Sequence, residues 1–184
     1  MSAEEIALIH GPPGTRKPHT IVEIIWQLAK QGKRLLVCGA STISVDNLAM
    51  QISDIPKNQV VCLGNSARIM PAALKHRLHW KEKHMIESDL VAKPGLLVKA
   101  AKRTASRKIV KASIVVLSTL SGAADKDPDK MSGKFDVVII DEARQVVEGE
   151  CWIAAIRAPK LILAGDHRQL PPTVKSLGKK DKQQ

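Results

Sequence analysis

His10-Gly11-Pro12-Pro13-Gly14-Thr15-Arg16-Lys17-Pro18 stands between a short apolar run, Ile6 to His10, and an amphipathic helical pattern from about Pro18 to Gln31. A strand, a glycine-rich turn and a helix in this order make a cradle for phosphate. The backbone N–H groups of the turn and the helix N-terminus point at the anion, and a lysine adds charge. The pattern for such a loop is G-x-x-x-x-G-K-[ST]. Gly11, Gly14 and Lys17 fit it. Arg16 replaces the second glycine of the pattern, and Pro18 replaces the hydroxyl residue that binds Mg²⁺. A side chain at residue 16 can block close approach of the backbone to phosphate. Pro18 offers neither a hydroxyl nor an N–H, although proline in a first helical turn leaves the helix intact. A plain Gly/Pro turn before a helix is the other reading of the stretch.

A second signature lies far downstream. Val137-Val138-Ile139-Ile140-Asp141-Glu142 is a buried strand that ends in two carboxylates. Asp at such an end is placed to hold Mg²⁺ through water, and the following Glu to orient or deprotonate an attacking water. The alternative is an acidic helix start stabilised by the helix dipole. The third element, Leu163-Ala164-Gly165-Asp166-His167-Arg168-Gln169-Leu170-Pro171-Pro172, also follows a strand. Its Gln169 could sense a γ-phosphate, or the segment could be an ordinary strand exit closed by Pro-Pro.

Around these motifs, short β-type runs alternate with helical patterns. Strands are expected at Ile6 to His10, Arg34 to Cys38, Gln59 to Leu63, Ile114 to Ser118, Phe135 to Ile140 and Leu161 to Ala164. Helices are expected at about Pro18 to Gln31 and Ser44 to Ile52. Continuous apolar strands separated by helices predict an α/β fold, a parallel sheet covered on both faces, with ligands at the carboxyl ends of the strands. Residues 67–111 break the rhythm as a basic, mostly helical insertion. Residues 1–174 are expected to form one domain and 175–184 a disordered basic tail. Trp26 and Trp152 fall on helical apolar stripes and are expected in the core.

The chain has 184 residues and a net charge of +11. Between Lys75 and Lys111 stand eleven Lys/Arg against three acids, a polyanion-facing pattern or a solvated helix face. Few aromatics are available for stacking on bases. Cys38, Cys62 and Cys151 make no CxxC pair and read as reduced thiols. His76, His79 and His84 read as a solvated basic face rather than a metal site. No apolar stretch approaches the ~20 residues that span a bilayer. No signal peptide pattern precedes the first strand, so a cytoplasmic or nuclear protein is expected.

The motifs together resemble those of the first RecA-like domain of superfamily-1 helicases, in the group of the nonsense-mediated-decay and immunoglobulin-mu-binding helicases. Ile9 to Thr20 resembles motif I of that group. Gly39-Ala40-Ser41-Thr42-Ile43-Ser44-Val45-Asp46-Asn47-Leu48 resembles motif Ia, A-P-S-N-x-A-V-D-N. Ser118-Thr119-Leu120-Ser121-Gly122-Ala123 resembles T-x-x-x-A, and Asp141-Glu142-Ala143-Arg144-Gln145 resembles D-E-[AC]-[AGST]-Q. Gly165 to Pro172 resembles G-D-x-x-Q-L-P-P. The resemblance implies a P-loop NTPase fold and Mg-ATP hydrolysis coupled to movement on single-stranded DNA or RNA. Gly11, Pro12, Pro13, Gly14, Thr15 and Lys17 would hold the ATP phosphates, and Asp141 would hold Mg²⁺. Glu142 would activate water, and Gln169 would couple the γ-phosphate to domain closure. Gln145 would support the acidic pair, and Ser41, Val45, Asn47 and Thr119 would line the nucleic acid. The insertion resembles the accessory subdomain beside the nucleic-acid channel.

Arg16, Pro18 and Arg144 depart from the family pattern, and the adenine-recognition motif and second RecA-like domain are absent from this sequence. Impaired hydrolysis is therefore expected. A non-enzymatic nucleic-acid-binding module and a non-functional helicase fragment are the alternatives.

Overall fold

The computed structural model describes residues 5–12, 14–52, 55–64, 76–89, 95–124, 133–166, 168–169 and 171–172. The expected tail at 175–184, Pro13, and the first part of the expected insertion lie outside the described residues. Among the described residues six strands form one parallel sheet in the order β1-β6-β5-β2-β4-β3. They are β1 (Ile6–His10), β2 (Leu35–Gly39), β3 (Val60–Cys62), β4 (Val115–Thr119), β5 (Val137–Asp141) and β6 (Lys160–Gly165). The helices are α1 (Lys17–Lys30), α2 (Thr42–Gln51), α3 (Leu78–Asp89), α4 (Gly95–Ala112), α5 (Leu120–Ala123) and α6 (Glu148–Ala155). The expected α/β fold is the observed one.

Side chains alternate across a strand, and here both faces are apolar. Leu35, Val37, Val115, Leu117, Val137 and Ile139 meet Ile21 and Ile25 of α1 and Leu48 and Ala49 of α2. Leu36, Cys38, Val116, Val138 and Ile140 face the other way, toward Val110 of α4, Leu120 of α5 and Ala154 of α6. Each buried aliphatic side chain contributes on the order of 1.5–3 kcal/mol, so β2, β4 and β5 form the stable centre. Cys38 and Cys62 are buried free thiols; burial pushes both up to about 12, which keeps them protonated.

The amino ends of the central strands are clasped by Arg34. Its guanidinium donates to the carbonyls of Val110, Ser113 and Lys134 and lies over the Phe135 ring. Its backbone N–H donates to Asp136 Oδ2 at 2.7 Å. A second clasp is buried: Arg77, just before α3, donates to Asp46 Oδ1 in α2 and to the Leu63 carbonyl.

Two expectations are corrected. Trp152 is 57 % exposed. The inward stripe of α6 is carried by Cys151 and Ala154, while Trp152 turns outward and donates its Nε1–H to Glu148. His76 is buried rather than solvated; burial first, then Lys81 and Lys57, lower its pKa and hold it neutral. Trp26 is half-buried against the first core, with the Lys30 ammonium 3.5 Å from its ring centroid. Among the described residues β1 is a sheet edge, with Ile6 and Leu8 53 % and 75 % exposed.

Candidate functional site

The loop from β1 to α1 folds back on itself. The Thr15 N–H and Oγ1 both donate to the Pro12 carbonyl, at 3.3 and 2.7 Å. A Cβ on Gly11 would come within 2.6 Å of Thr15 Oγ1 and 2.8 Å of Lys17 Cγ, so only glycine admits this turn. The Gly11 N–H reaches the Gly165 carbonyl at 3.4 Å, which ties the loop to the end of β6. Gly14 and Arg16 both have positive φ, at 85° and 57°. Arg16 is the N-cap of α1 and caps nothing with its side chain. The physical meaning of the missing glycine is therefore sharper than the sequence suggests: residue 16 needs a left-handed backbone, which an L side chain resists.

Lys17 opens α1 and is buried. Its ammonium lies 3.8 Å from Glu142 Oε1, and its Nζ makes no hydrogen bond. A buried ammonium without hydrogen-bond acceptors is costly unless an anion joins it. Asp141 ends β5 and accepts the Glu142 N–H on Oδ1 at 2.9 Å. Burial and then the neighbouring Glu142 push the Asp141 carboxyl up to about 6; the backbone hydrogen bond and Lys17 pull the other way. Glu142 sits in the left-handed region at φ 53°. Gln145 Nε2 donates to Glu142 Oε2 at 3.4 Å.

The structure thus brings Gly11, Pro12, Gly14, Thr15, Lys17, Asp141 and Glu142 to the carboxyl ends of β1 and β5, the two strands that flank β6. Gln169 follows β6, where its N–H donates to the Asp166 carbonyl at 3.1 Å. Asp166, given no role from sequence, is fully buried. Its Oδ1 accepts the Arg168 N–H at 3.0 Å, and its Oδ2 has no partner. Its burial is invisible in a motif that reads as a loop.

The candidates for nucleic acid divide. Gly39 is in register with both Thr119 and Asp141, so the ends of β4, β2 and β5 stand side by side. Thr119 and Asp141 are then about 10 Å apart along the sheet. Ser41 is exposed and caps α2 in a reciprocal box with Ser44. Thr119 caps α5, accepting the Gly122 N–H at 3.0 Å. Asn47 is exposed. Val45 is a correction: it is 1 % exposed and packed in the core, so its side chain cannot line a strand of nucleic acid. Ile43, not singled out from sequence, is 70 % exposed beside Ser41.

A parallel sheet with a glycine-rich loop, a buried lysine and a strand-end acidic pair at one rim defines a P-loop NTPase fold of the RecA-like kind. The comparisons agree. The model of a family described as "AAA domain" matches residues 1–94 and 79–177. The chain belongs to that family, as a first RecA-like domain of the superfamily-1 helicases in the nonsense-mediated-decay and immunoglobulin-mu-binding group. It is 39 % identical over 211 residues to the DNA polymerase alpha-associated DNA helicase A of Schizosaccharomyces pombe, covering 96 % of this chain and 31 % of that protein. It is 38 % identical over 205 residues to the DNA-binding protein SMUBP-2 of Mesocricetus auratus, covering 94 % of this chain and 21 % of that protein. The chain therefore spans less than a third of either relative's length. Among solved structures, the DUF1998 helicase MrfA bound to DNA shares the fold, with a TM-score of 0.52 and 14 % identity over 88 % of this chain and 20 % of that one. Among the described residues no helix is long and apolar enough to cross a membrane.

Proposed function

We propose that the chain is the phosphate-holding half of an ATP-dependent helicase motor, retaining nucleotide binding and lacking efficient hydrolysis on its own. The observation that carries this reading is the buried Lys17 ammonium, close to Glu142 and without a hydrogen-bond acceptor. A polyphosphate would supply the acceptors that Lys17 lacks, and Gly11 lets Thr15 and Lys17 pack close against the loop backbone, where a Cβ would displace them. Gly11, Pro12, Pro13, Gly14 and Thr15 complete the loop. Asp141 is the residue to hold Mg²⁺, which would screen the phosphate charge when bound. The rest of the donor set is thin, because Pro18 has no hydroxyl. Glu142 is poised to take a proton from water once Lys17 turns to phosphate, with Gln145 holding its carboxylate. Gln169 is proposed to couple the occupied site to a second RecA-like domain, from a longer chain or a separate one.

The test is calorimetric titration with Mg-ATP, beside Asp141→Ala. Saturable binding weakened by the substitution supports the reading; a folded chain that takes up no nucleotide sinks it. Arg16→Gly with Pro18→Thr should tighten binding about tenfold, which corresponds to ~1.4 kcal/mol.

Single-stranded DNA or RNA is the proposed track, along Ser41, Asn47 and Thr119, with Ile43 as an apolar contact. The +11 charge favours a polyanion. Affinity for an oligothymidylate should fall steeply with salt, by about 0.7 of a log–log unit for each phosphate neutralised. Salt-independent affinity would contradict this.

A further inference from the structure

A cleft of about 510 Å³ opens between the turn Lys57–Gln59, α3 and the last turn of α4. That turn leads into β3 and α4 leads into β4, so the cleft lies at the amino ends of the strands. The phosphate loop hangs from the carboxyl end of β1, at the opposite edge of the sheet. The cleft therefore belongs to neither the nucleotide site nor the strand-end track.

Its lining is apolar inside and cationic at the rim. Trp80, Ile109 and Ala112 line it together with Lys57, Lys81 and Lys108. The Trp80 ring stands 4.0 Å from that of His84, tilted by 51°. A volume in this range suits an organic group of small-ligand size. The Lys81 ammonium donates to the carbonyls of Lys57 and Val60, not to a carboxylate, and burial lowers its pKa. Among the described residues no carboxylate pairs with Lys57, Lys81 or Lys108. The field extends along α4, which has no acidic residue and exposes Lys102 and Lys111.

These features select an anion with an apolar body. A nucleobase seated here would bury polar edges against a wall where, among the described lining side chains and beside the lysines, Asn58, His84 and the Trp80 indole N–H are the groups that could pair with them, and unpaired buried polar groups are costly. A large hydrocarbon or aromatic side chain carries no such cost, and carboxylates beside it would answer the lysines. We propose that this cleft docks an acidic segment of a partner protein, with one large apolar side chain against Trp80 and flanking carboxylates on Lys57 and Lys108. The proposal does not depend on nucleotide binding.

The test uses the full chain and a fluorescein-labelled peptide, Asp-Glu-Asp-Leu-Phe-Asp-Glu-Leu-Glu, read by anisotropy. A second peptide carries serine at the Leu and Phe positions. The apolar acidic peptide is expected to bind about tenfold more tightly than its serine counterpart, as an interface anchored by one buried side chain does. Trp80→Ala and Lys108→Glu should each weaken it about tenfold; Trp152→Ala and Lys17→Ala should leave it unchanged. Lys108 is exposed, so Lys108→Glu decides the matter if Trp80→Ala does not fold. The proposal is overturned if neither peptide binds, if the two bind equally, or if both cleft variants bind as the wild type does. Displacement of the peptide by an oligothymidylate whose own affinity drops in Trp80→Ala would assign the cleft to nucleic acid instead.

Discussion

Arg16 and Glu142 are the non-glycine residues with positive φ among the described residues, and both flank Lys17. Left-handed backbone costs an L residue about 1–2 kcal/mol, and such outliers gather at functional sites. Arg16 is exposed and makes no cap, so its replacement loses no packing. Arg16→Gly should stabilise the chain by about 0.5–1 kcal/mol in urea titration, after allowance for the freer unfolded chain. The Asp141 carboxyl gives a pH signature. Its folded pKa of about 6 lies above the ordinary value of 3.8, so the folded state holds the proton more tightly than the unfolded one. Its contribution to stability is complete below about pH 4 and is lost as pH rises through about 6. Asp141→Asn removes that loss while keeping an acceptor oxygen for the Glu142 N–H. Without magnesium, the variant should be more stable by about 2–3 kcal/mol above pH 7 and equal to wild type near pH 4. Equal thermal midpoints at both pH values would contradict the buried charge.

At the scale of elements, the Arg77–Asp46 pair joins α3 to α2, the helix that also carries Ser41 as its cap. Asp46→Ala leaves the Arg77 guanidinium buried with the Leu63 carbonyl as its acceptor. Breaking a buried pair from one side costs about 3–5 kcal/mol. Urea unfolding of Asp46→Ala should show a loss of that order, largely recovered when Arg77 is replaced by Met in the same chain. Asp46 also marks where sequence reading stops. Motif Ia locates it, but nothing in the chain says that its partner is Arg77, 31 residues away inside a basic stretch. Arg34 is the same case: its acceptors at Val110, Ser113 and Lys134 exist only once three strands are side by side. What the sequence does reveal is period and punctuation. Apolar runs locate β2, β4 and β5, and the turn residues after β1, β5 and β6 locate the strand ends. It misjudges Trp152 because a stripe position on a short helix does not say how far the sheet extends beneath it. It misjudges Val45 because motif resemblance names a segment, while the helix decides which side chains of that segment reach solvent.

For the whole molecule, burial is uneven across the sheet. β2, β4 and β5 are apolar on both faces, while β1 pairs with β6 on one side and leaves Ile6 and Leu8 exposed. An apolar sheet edge with unpaired backbone groups is a template for self-association. Leu8→Lys should lower concentration-dependent self-association in sedimentation experiments, with less than about 0.5 kcal/mol lost in stability. The same edge bears on how tightly the loop can grip anything. Gly11 follows directly from β1, so opening of that strand also dismantles the cradle. Opening of a lightly packed edge requires far less free energy than global unfolding. The apparent affinity for phosphate is then the intrinsic affinity multiplied by the fraction of molecules with β1 fastened. Ligand and edge strand should rise and fall together: amide protons of β1 exchange quickly in the bare chain and slow as phosphate fills the loop.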